Sequence, residues 1–173
     1  MAKYEIRTHG DPILKQKAVK IDKFNTEIKE IFGNMLETMY ANNGLGLAAN
    51  QVGIKKKMFV IDTGTPEKPR VFRLANPEII SRSKETSVFE EGCLSFPGIT
   101  ENITRPAKIT VRAQDENGKE VTIEAEGLNA TAFQHEIDHL NGIVFIDRMT
   151  PVKRMMHSKK LKELKNMRKK EKI

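Results

Sequence analysis

The hydrophobic positions between residues 22 and 43 recur at the spacing of an amphipathic helix. A helix with ~3.6 residues per turn would gather them on one face. Asn25 is the expected N-cap, because an Asn side chain accepts hydrogen bonds from the free N–H groups of a first turn. The run Asn42-Asn43-Gly44 predicts the end of the helix. The face expected to be buried comprises Ile28, Ile31, Phe32, Met35 and Met39.

Short apolar or alternating segments follow, and these are typical of β-strands. Asn117-Gly118 separates the last two segments and favours a tight hairpin turn. Their alternation of polar and apolar residues indicates antiparallel strands with one face in water. The predicted strands are residues 58–61, 71–74, 78–80, 108–112 and 120–124.

Helical spacing returns from about residue 130 to residue 140. Asn129 is the expected N-cap, and Asn141-Gly142 predicts the stop. His135 and His139 fall on a different face from the apolar stripe, toward the segment that carries the only cysteine. The stripe consists of Phe133, Ile137 and Leu140.

A third helix is predicted after Pro151. We expect its first turns to dock on the body of the protein and its lysine-rich end to be solvated. Its broad, drifting apolar stripe comprises Val152, Met155, Met156, Leu161, Leu164 and Met167.

The positive charge of the chain is concentrated in this last helix. The formal net charge is +7, and residues 151–173 hold 10 of the 30 Lys and Arg residues but 2 of the 23 Asp and Glu residues. The remainder is therefore almost neutral. This distribution favours an anionic partner for the tail over a basic active-site channel, the alternative being a solvated helix without a partner.

A length of 173 residues fits one domain with its own core. One cysteine cannot form an internal disulfide, which fits a reducing compartment. The first residues lack the apolar segment of a secretory signal, and no apolar run is long enough to cross a bilayer. We therefore expect a cytoplasmic protein that does not enter a membrane.

The segment 134–140 carries the most specific chemistry of the chain. His135 and His139 lie one helical turn apart, so their rings can converge on one metal ion. Glu136 is then close to the ion without ligating it, which suits a general base. Two histidines and a glutamate also occur on exposed helices by chance, so this motif alone does not decide the function.

Cys93, within Glu91-Gly92-Cys93-Leu94-Ser95, supplies a third candidate ligand. A thiolate and two imidazoles leave the fourth position open, as in catalytic metal sites. Taken alone, a single cysteine is more often an inert core residue. The small residues of 44–51 permit close backbone approach, and the Gln51 amide could meet a developing oxyanion.

Together these three segments resemble the peptide deformylase family. The family motifs Gly-x-Gly-x-Ala-Ala-x-Gln, Glu-Gly-Cys-x-Ser and Gln-His-Glu-x-Asp-His-x-x-Gly are matched, in that order, by residues 44–51, 91–95 and 134–142. The resemblance implies removal of the formyl group from N-formylmethionine at the start of new polypeptides, with release of formate. It also implies an α+β fold in which antiparallel β-sheets pack around a central metal-binding helix, with an N-terminal and a C-terminal helix.

The resemblance assigns a role to each motif residue. Cys93, His135 and His139 would hold one divalent metal ion, Fe²⁺ in the cell, although Zn²⁺, Ni²⁺ or Co²⁺ also suit these ligands. Glu136 would take a proton from water and pass it to the leaving amine. The Gln51 side chain and the Leu94 backbone N–H would meet the oxyanion.

The resemblance also implies a binding mode for the substrate, an N-formylmethionyl nascent peptide. Its extended backbone would lie between the first two motif segments and contact Gly44, Gly46 and Gly92. Candidates for the methionine pocket are Leu45, Phe89 and Leu128, with the His135 ring as one wall. Beside the pocket, the charges of Glu91 and Arg105 predict a pair that braces the metal site.

Residues 1–150 are then expected to form the catalytic metallohydrolase domain, and residues 151–173 a basic C-terminal helix that belongs to it. In family terms this helix docks on the ribosome, where its lysines would meet RNA phosphates. We expect the protein to act as a monomer.

Three other functions fit part of this pattern. A metalloprotease with a His-Glu-x-x-His motif usually takes its third ligand downstream, where Asp147 and His157 lie in no recognisable signature. A cysteine hydrolase would use Cys93 as its nucleophile. A non-catalytic RNA- or ribosome-binding module would explain the basic tail and leave Glu136 without a role.

Overall fold

A five-stranded antiparallel sheet and a two-stranded hairpin make up the β-structure in a computed structural model that describes residues 3–171. The sheet has the order β1-β2-β3-β6-β7, and β4 pairs with β5 in the separate hairpin. The strands are β1 Gly46–Ala48, β2 Met58–Asp62, β3 Val71–Arg82, β4 Thr86–Gly92, β5 Thr100–Pro106, β6 Lys108–Gln114 and β7 Glu120–Glu126.

The predicted strands are confirmed with one change in their number. Residues 71–74 and 78–80 belong to the single strand β3, whose register with β6 shifts between Ala75 and Glu78. Pro77 cannot donate to a ladder, and this bulge accommodates it. β1, β4 and β5 were not predicted from the sequence pattern. The turn at Asn117-Gly118 joins β6 to β7 as expected, with Gly118 at a φ of 82°.

The first helix, α1, spans Thr26–Ala41 and is shorter at both ends than the predicted segment. Asn25 is its N-cap, as predicted, and its side chain accepts a hydrogen bond from Ile28 N at 3.2 Å. The five predicted apolar residues are all buried, and they pack with Met58 and Val60 of β2. The helix thus covers one face of the sheet beside β1.

The second helix, α2, spans Gly127–Leu140 and lies between the sheet and the hairpin. Every residue from Ala130 to Leu140 is buried, so α2 is the central helix that the resemblance implied. The prediction that Asn129 caps it is wrong. Glu126 occupies the N-cap position, and Asn129 lies within the first turn, where its side chain accepts a hydrogen bond from Thr63 Oγ1 at 2.6 Å.

The basic tail forms two helices instead of one, α3 Pro151–Met156 and α4 Ser158–Glu171, which meet at His157. The expectation that the first turns dock is wrong, because Val152, Met155 and Met156 are each at least 69% exposed. The chain turns after α3, and α4 docks instead through Leu161 and Leu164. Residues 172 and 173 of the predicted tail lie outside the described residues. Among the described helices, none has the length and apolarity that crossing a membrane requires.

Candidate metal centre

Two elements bring the three predicted ligands together. Cys93 directly follows the end of β4, whereas His135 and His139 project from the same side of α2. Cys93 Sγ lies 3.3 Å from His139 Nε2, and the two imidazole rings have centroids 5.0 Å apart. One ligand atom from each residue lies within 4.8 Å of the other two. The convergence of the three side chains is therefore confirmed.

The donor set fits one metal ion. One sulfur and two ring nitrogens suit the divalent ions from Fe²⁺ to Zn²⁺, and three protein ligands leave a position for water or substrate. The two histidines are buried, and Cys93 is partly exposed on the side of the adjacent cavity. An ion held here would therefore be reached from that cavity.

Glu91 and Arg105 support His135 from behind, so the predicted brace is present. Glu91 Oε1 lies 2.9 Å from His135 Nδ1, which leaves Nε2 of the ring as the ligand atom. Arg105 donates to both oxygens of Glu91, at 2.7 and 2.9 Å. Burial alone would raise the pKa of Glu91, but the hydrogen bonds from His135 and Arg105 outweigh it and lower this pKa.

Glu136 is buried beside the ligands, and its Oε2 has no hydrogen-bond partner among the described residues. Burial raises the pKa of its carboxyl group to about 7, because the charged form loses its hydration. Such a group exchanges a proton readily near neutral pH. Gly46 of β1 allows this placement, since a Cβ there would lie 2.7 Å from Glu136 Oε1.

Gln51 is held by both ends of its amide, in the 3₁₀ turn Ala49–Val52. Its Oε1 accepts a hydrogen bond from Ala48 N at 2.9 Å. Its Nε2 donates to Ser95 Oγ at 3.1 Å and lies 3.4 Å from Cys93 Sγ. The NH₂ group therefore points at the candidate metal ligand.

The N-terminal arm, residues 3–11, makes two contacts that the sequence did not predict. Arg7 N donates to Gln51 O at 2.6 Å, and His9 N donates to Ser95 O at 2.9 Å. The arm thus connects the turn that holds Gln51 to the segment that carries Cys93 and Ser95. No local sequence signal marks these contacts, because they are backbone hydrogen bonds between distant residues.

A cavity of about 590 Å³ opens beside the three ligands. Five of the six predicted substrate-binding residues line it, together with Leu94 and Glu136: these are Gly44, Leu45, Gly46, Gly92 and Leu128. Phe89 is half-buried on β4 and is not a lining residue. Thr131 and Ala132 line the cavity and were missed, although helical spacing places them one turn before His135.

Comparison with known proteins agrees with this geometry. The family model for polypeptide deformylase matches residues 3–155. A peptide deformylase of Natranaerobius thermophilus is 49% identical over 88% of this chain and 96% of its own length. The crystal structure of peptide deformylase from Thermotoga maritima is 46% identical, with a TM-score of 0.83 over 87% of this chain and all of that one. A plant peptide deformylase is 36% identical, with a TM-score of 0.95 over all of this chain and 95% of that one.

Motifs, fold and site geometry thus lead to one conclusion: the chain belongs to the peptide deformylase family of metal-dependent hydrolases, which remove the N-formyl group from newly made polypeptides.

Proposed function

We propose that this chain deformylates N-formylmethionyl peptides at the centre formed by Cys93, His135 and His139. The observation that carries the proposal is the convergence of one sulfur and two ring nitrogens within 4.8 Å at the side of a cavity, with Glu136 adjoining them. Hydrolysis gives formate and a free amino terminus. A metalloprotease with a His-Glu-x-x-His motif usually takes its third metal ligand from downstream of the second histidine. Here the third residue of the candidate metal site is Cys93, which lies upstream.

Fe²⁺ is the metal that we propose for the cell, with Zn²⁺, Ni²⁺ and Co²⁺ as substitutes that the same donors accept. When bound, such an ion polarises a carbonyl group and lowers the pKa of water toward ~7. The Glu91 contact supports metal binding by His135, whichever of these ions is bound, since it occupies Nδ1 and leaves Nε2 as the ligand atom.

Glu136 is the proposed proton carrier. As a carboxylate it accepts the proton of the attacking water, and as a carboxylic acid it donates that proton to the departing amine nitrogen. Its pKa of about 7, raised by burial, suits both steps. Transfer of this kind contributes roughly 10²–10⁴-fold to a rate.

Gln51 and the backbone N–H of Leu94 are the proposed donors to the oxyanion. The Gln51 amide is oriented before substrate arrives, because Ala48 N and Ser95 Oγ hold its two ends. An orientation fixed in advance avoids a reorganisation cost during the reaction. Loss of one such donor commonly lowers the rate by ~10²–10³-fold.

The substrate backbone is proposed to lie between residues 44–46 and Gly92. β1 forms one edge of the five-stranded sheet, and edge strands accept an added strand through backbone hydrogen bonds. Leu45 and Leu128 are 40% and 43% exposed beside the cavity, so a methionine side chain there would cover them. Phe89 is left out of this proposed pocket, because it does not line the cavity.

The basic tail is the proposed ribosome-docking element, within one domain that also includes residues 1–150. Packing supports a single domain, since Leu161 and Leu164 of the tail share a hydrophobic cluster with Phe96 and Phe145. The lysines of α4 that surround this buried face are exposed and available to RNA phosphates. We also propose a cytoplasmic monomer, which suits the free Cys93 and a substrate found on nascent chains.

Docking is tested best without removing α4, because truncation would uncover Leu161 and Leu164. Lys162, Lys169 and Lys170 are exposed and can be changed to Gln together. We expect this triple variant to co-sediment less with ribosomes at low salt.

The matched control carries the same Lys-to-Gln change at three lysines that are exposed elsewhere on the protein, Lys55, Lys84 and Lys119. Equal sedimentation of both variants and the wild type would contradict docking by this tail.

The test of the proposed activity is formate release from a formyl-Met peptide under anaerobic conditions, with metal analysis of the same sample. We expect about one metal ion per chain and activity that a chelator removes and Fe²⁺ restores. Activity that survives complete metal removal would favour the cysteine-hydrolase mechanism instead. Absence of formate release from the fully loaded protein would reject the function.

A further inference from the structure

Arg148 lies at the surface end of a row of side chains that reaches His135. Its Nε and Nη2 donate to the two oxygens of Asp138, at 3.1 and 2.8 Å. Asp138 Oδ2 also accepts from Arg105 Nη1 at 2.9 Å. Arg105 grips both oxygens of Glu91, and Glu91 Oε1 lies 2.9 Å from His135 Nδ1. Four successive contacts therefore join an outer guanidinium group to a ring that faces the metal centre.

Charges of opposite sign alternate along this row, and burial makes their balance matter. The side chains of Arg105 and Glu91 are 5% and 4% exposed. Asp138 is 12% exposed and Arg148 is 46% exposed. Without Arg148, two carboxylates would compete for the guanidinium group of Arg105. A poorly hydrated carboxylate that loses one partner draws harder on the other, so Arg105 would shift away from Glu91.

We propose that Arg148 is a positioning residue for the metal centre. By holding Asp138 it keeps Arg105 aligned on Glu91, and Glu91 then keeps the His135 ring in the orientation that binds metal. This inference rests on the metal centre proposed above. Partners behind a metal-binding histidine fix its ring orientation and commonly change metal affinity by ~10–100-fold when removed. Arg148 ends the 3₁₀ turn Phe145–Arg148, which follows α2 along the chain.

Arg148→Met tests the proposal, because it removes the guanidinium group and keeps an unbranched side chain. We expect the dissociation constant for Co²⁺, measured by chelator competition, to rise about tenfold. The visible absorption of bound Co²⁺ should also change, since it reports the ligand geometry directly. Arg148→Lys keeps the charge without the two parallel hydrogen bonds, and its affinity should fall between those of Arg148→Met and the wild type.

Lys15→Met is the matched control. Lys15 binds Asp147 of the same 3₁₀ turn at 2.8 Å and is 52% exposed, but this pair lies outside the row that reaches His135. We expect its Co²⁺ affinity and spectrum to equal those of the wild type. If Lys15→Met changed them as much as Arg148→Met, or if Arg148→Met changed neither, the proposal would be overturned.

Two further results separate the possible failures. If the wild type itself bound no Co²⁺, the metal centre would be wrong and not only the role of Arg148. If Arg148→Met were too unstable to purify, Arg148→Lys would decide, because wild-type affinity and spectrum in that variant would reject the proposal. In an Asp138→Asn background, Arg148→Met should change the Co²⁺ affinity less than in the wild type, because the amide side chain offers Arg148 one acceptor oxygen instead of two. An equal change in both backgrounds would reject the proposed route through Asp138.

Discussion

Asp11 and Arg168 connect the two ends of the chain through a buried ion pair. Arg168 Nη2 donates to Asp11 Oδ2 at 2.6 Å, and the two side chains are 9% and 7% exposed. The pair anchors α4 beside the N-terminal arm, whose backbone also contacts Gln51 and Ser95. The charged carboxylate of Asp11 is therefore expected to contribute to the stability of the fold.

Asp11→Asn should destabilise the protein by about 2 kcal/mol at pH 7, the usual contribution of hydrogen bonds to a charged group. Burial acts to raise the pKa of Asp11, but the Ile13 N–H and the guanidinium groups of Arg7 and Arg168 outweigh it and lower this pKa. A carboxyl group with a lowered folded-state pKa stabilises the fold above its ordinary pKa of 3.8. The contribution is lost as the pH falls through the folded-state pKa.

Urea unfolding at pH 7 and in acid checks this expectation. The difference in unfolding free energy between wild type and Asp11→Asn should shrink as the pH falls. Asp22→Asn, at an exposed aspartate, serves as the control and should differ little from the wild type at either pH. A difference that stayed constant with pH would mean that the Asp11 charge does not stabilise the fold.

Glu136→Gln should lower kcat by roughly 10²–10⁴-fold and leave the metal content unchanged. The amide cannot accept and return a proton at neutral pH, whereas the ligands Cys93, His135 and His139 are untouched. Rates of formate release and metal analysis measure the two effects on one sample. Glu163→Gln, at an exposed position on α4, is the control. An RNA-binding module without catalysis would show no formate release in any of these proteins.

Gly46→Ala should reduce kcat with little loss of stability or metal. The added Cβ would lie 2.7 Å from Glu136 Oε1 and 3.1 Å from Glu136 Cδ, so the carboxyl group must move. We expect a loss of at least tenfold, since small displacements of a proton carrier are costly. Gly92→Ala adds a methyl group beside the same proposed substrate path, but its nearest atom is Thr100 Cγ2 at 3.3 Å. Glu136 then keeps its place, so any loss in Gly92→Ala should appear in KM and not in kcat. A smaller kcat loss in Gly46→Ala than in Gly92→Ala would contradict the argument.

His135 and His139 were predictable as a pair because helical spacing places them on one side of α2. Cys93 lies far from them in sequence, and its part in the site followed only when the three family motifs were taken together. The cap at Asn25 was also predictable, because its hydrogen bond to Ile28 N joins residues only three positions apart.

β4 was missed because its sequence ends in Glu90-Glu91-Gly92, and glutamate and glycine are depleted in strands. Glu91 is nevertheless buried there, because Arg105 of the neighbouring strand pairs with it. Burial that depends on a distant partner leaves no local pattern.

The docking of the tail shows the same limit. Its apolar stripe indicated helical structure, but the stripe could not show where the helix breaks. The break at His157 turns α4 onto the body and leaves Val152 and Met155 exposed. The partner of Arg168 is Asp11, near the other end of the chain. A contact between positions so far apart becomes readable only in the folded chain.

Leu128→Ala should raise KM for a formyl-Met peptide about tenfold and change kcat little. Leu128 lines the cavity and is 43% exposed, so substrate would cover much of its side chain. Losing part of that apolar contact weakens binding by about 1–2 kcal/mol. A peptide that begins with formyl-Ala should show a smaller change, because its short side chain does not reach as far.

Phe89→Ala is the matched control, since Phe89 is a large apolar residue that was predicted for the same pocket. It is half-buried on β4 and does not line the cavity, so its truncation should leave KM unchanged. Steady-state kinetics on both peptides distinguishes the two positions. An increase in KM for Phe89→Ala as large as that for Leu128→Ala would place the methionine pocket against β4, whereas an unchanged KM in both variants would place it on neither side chain.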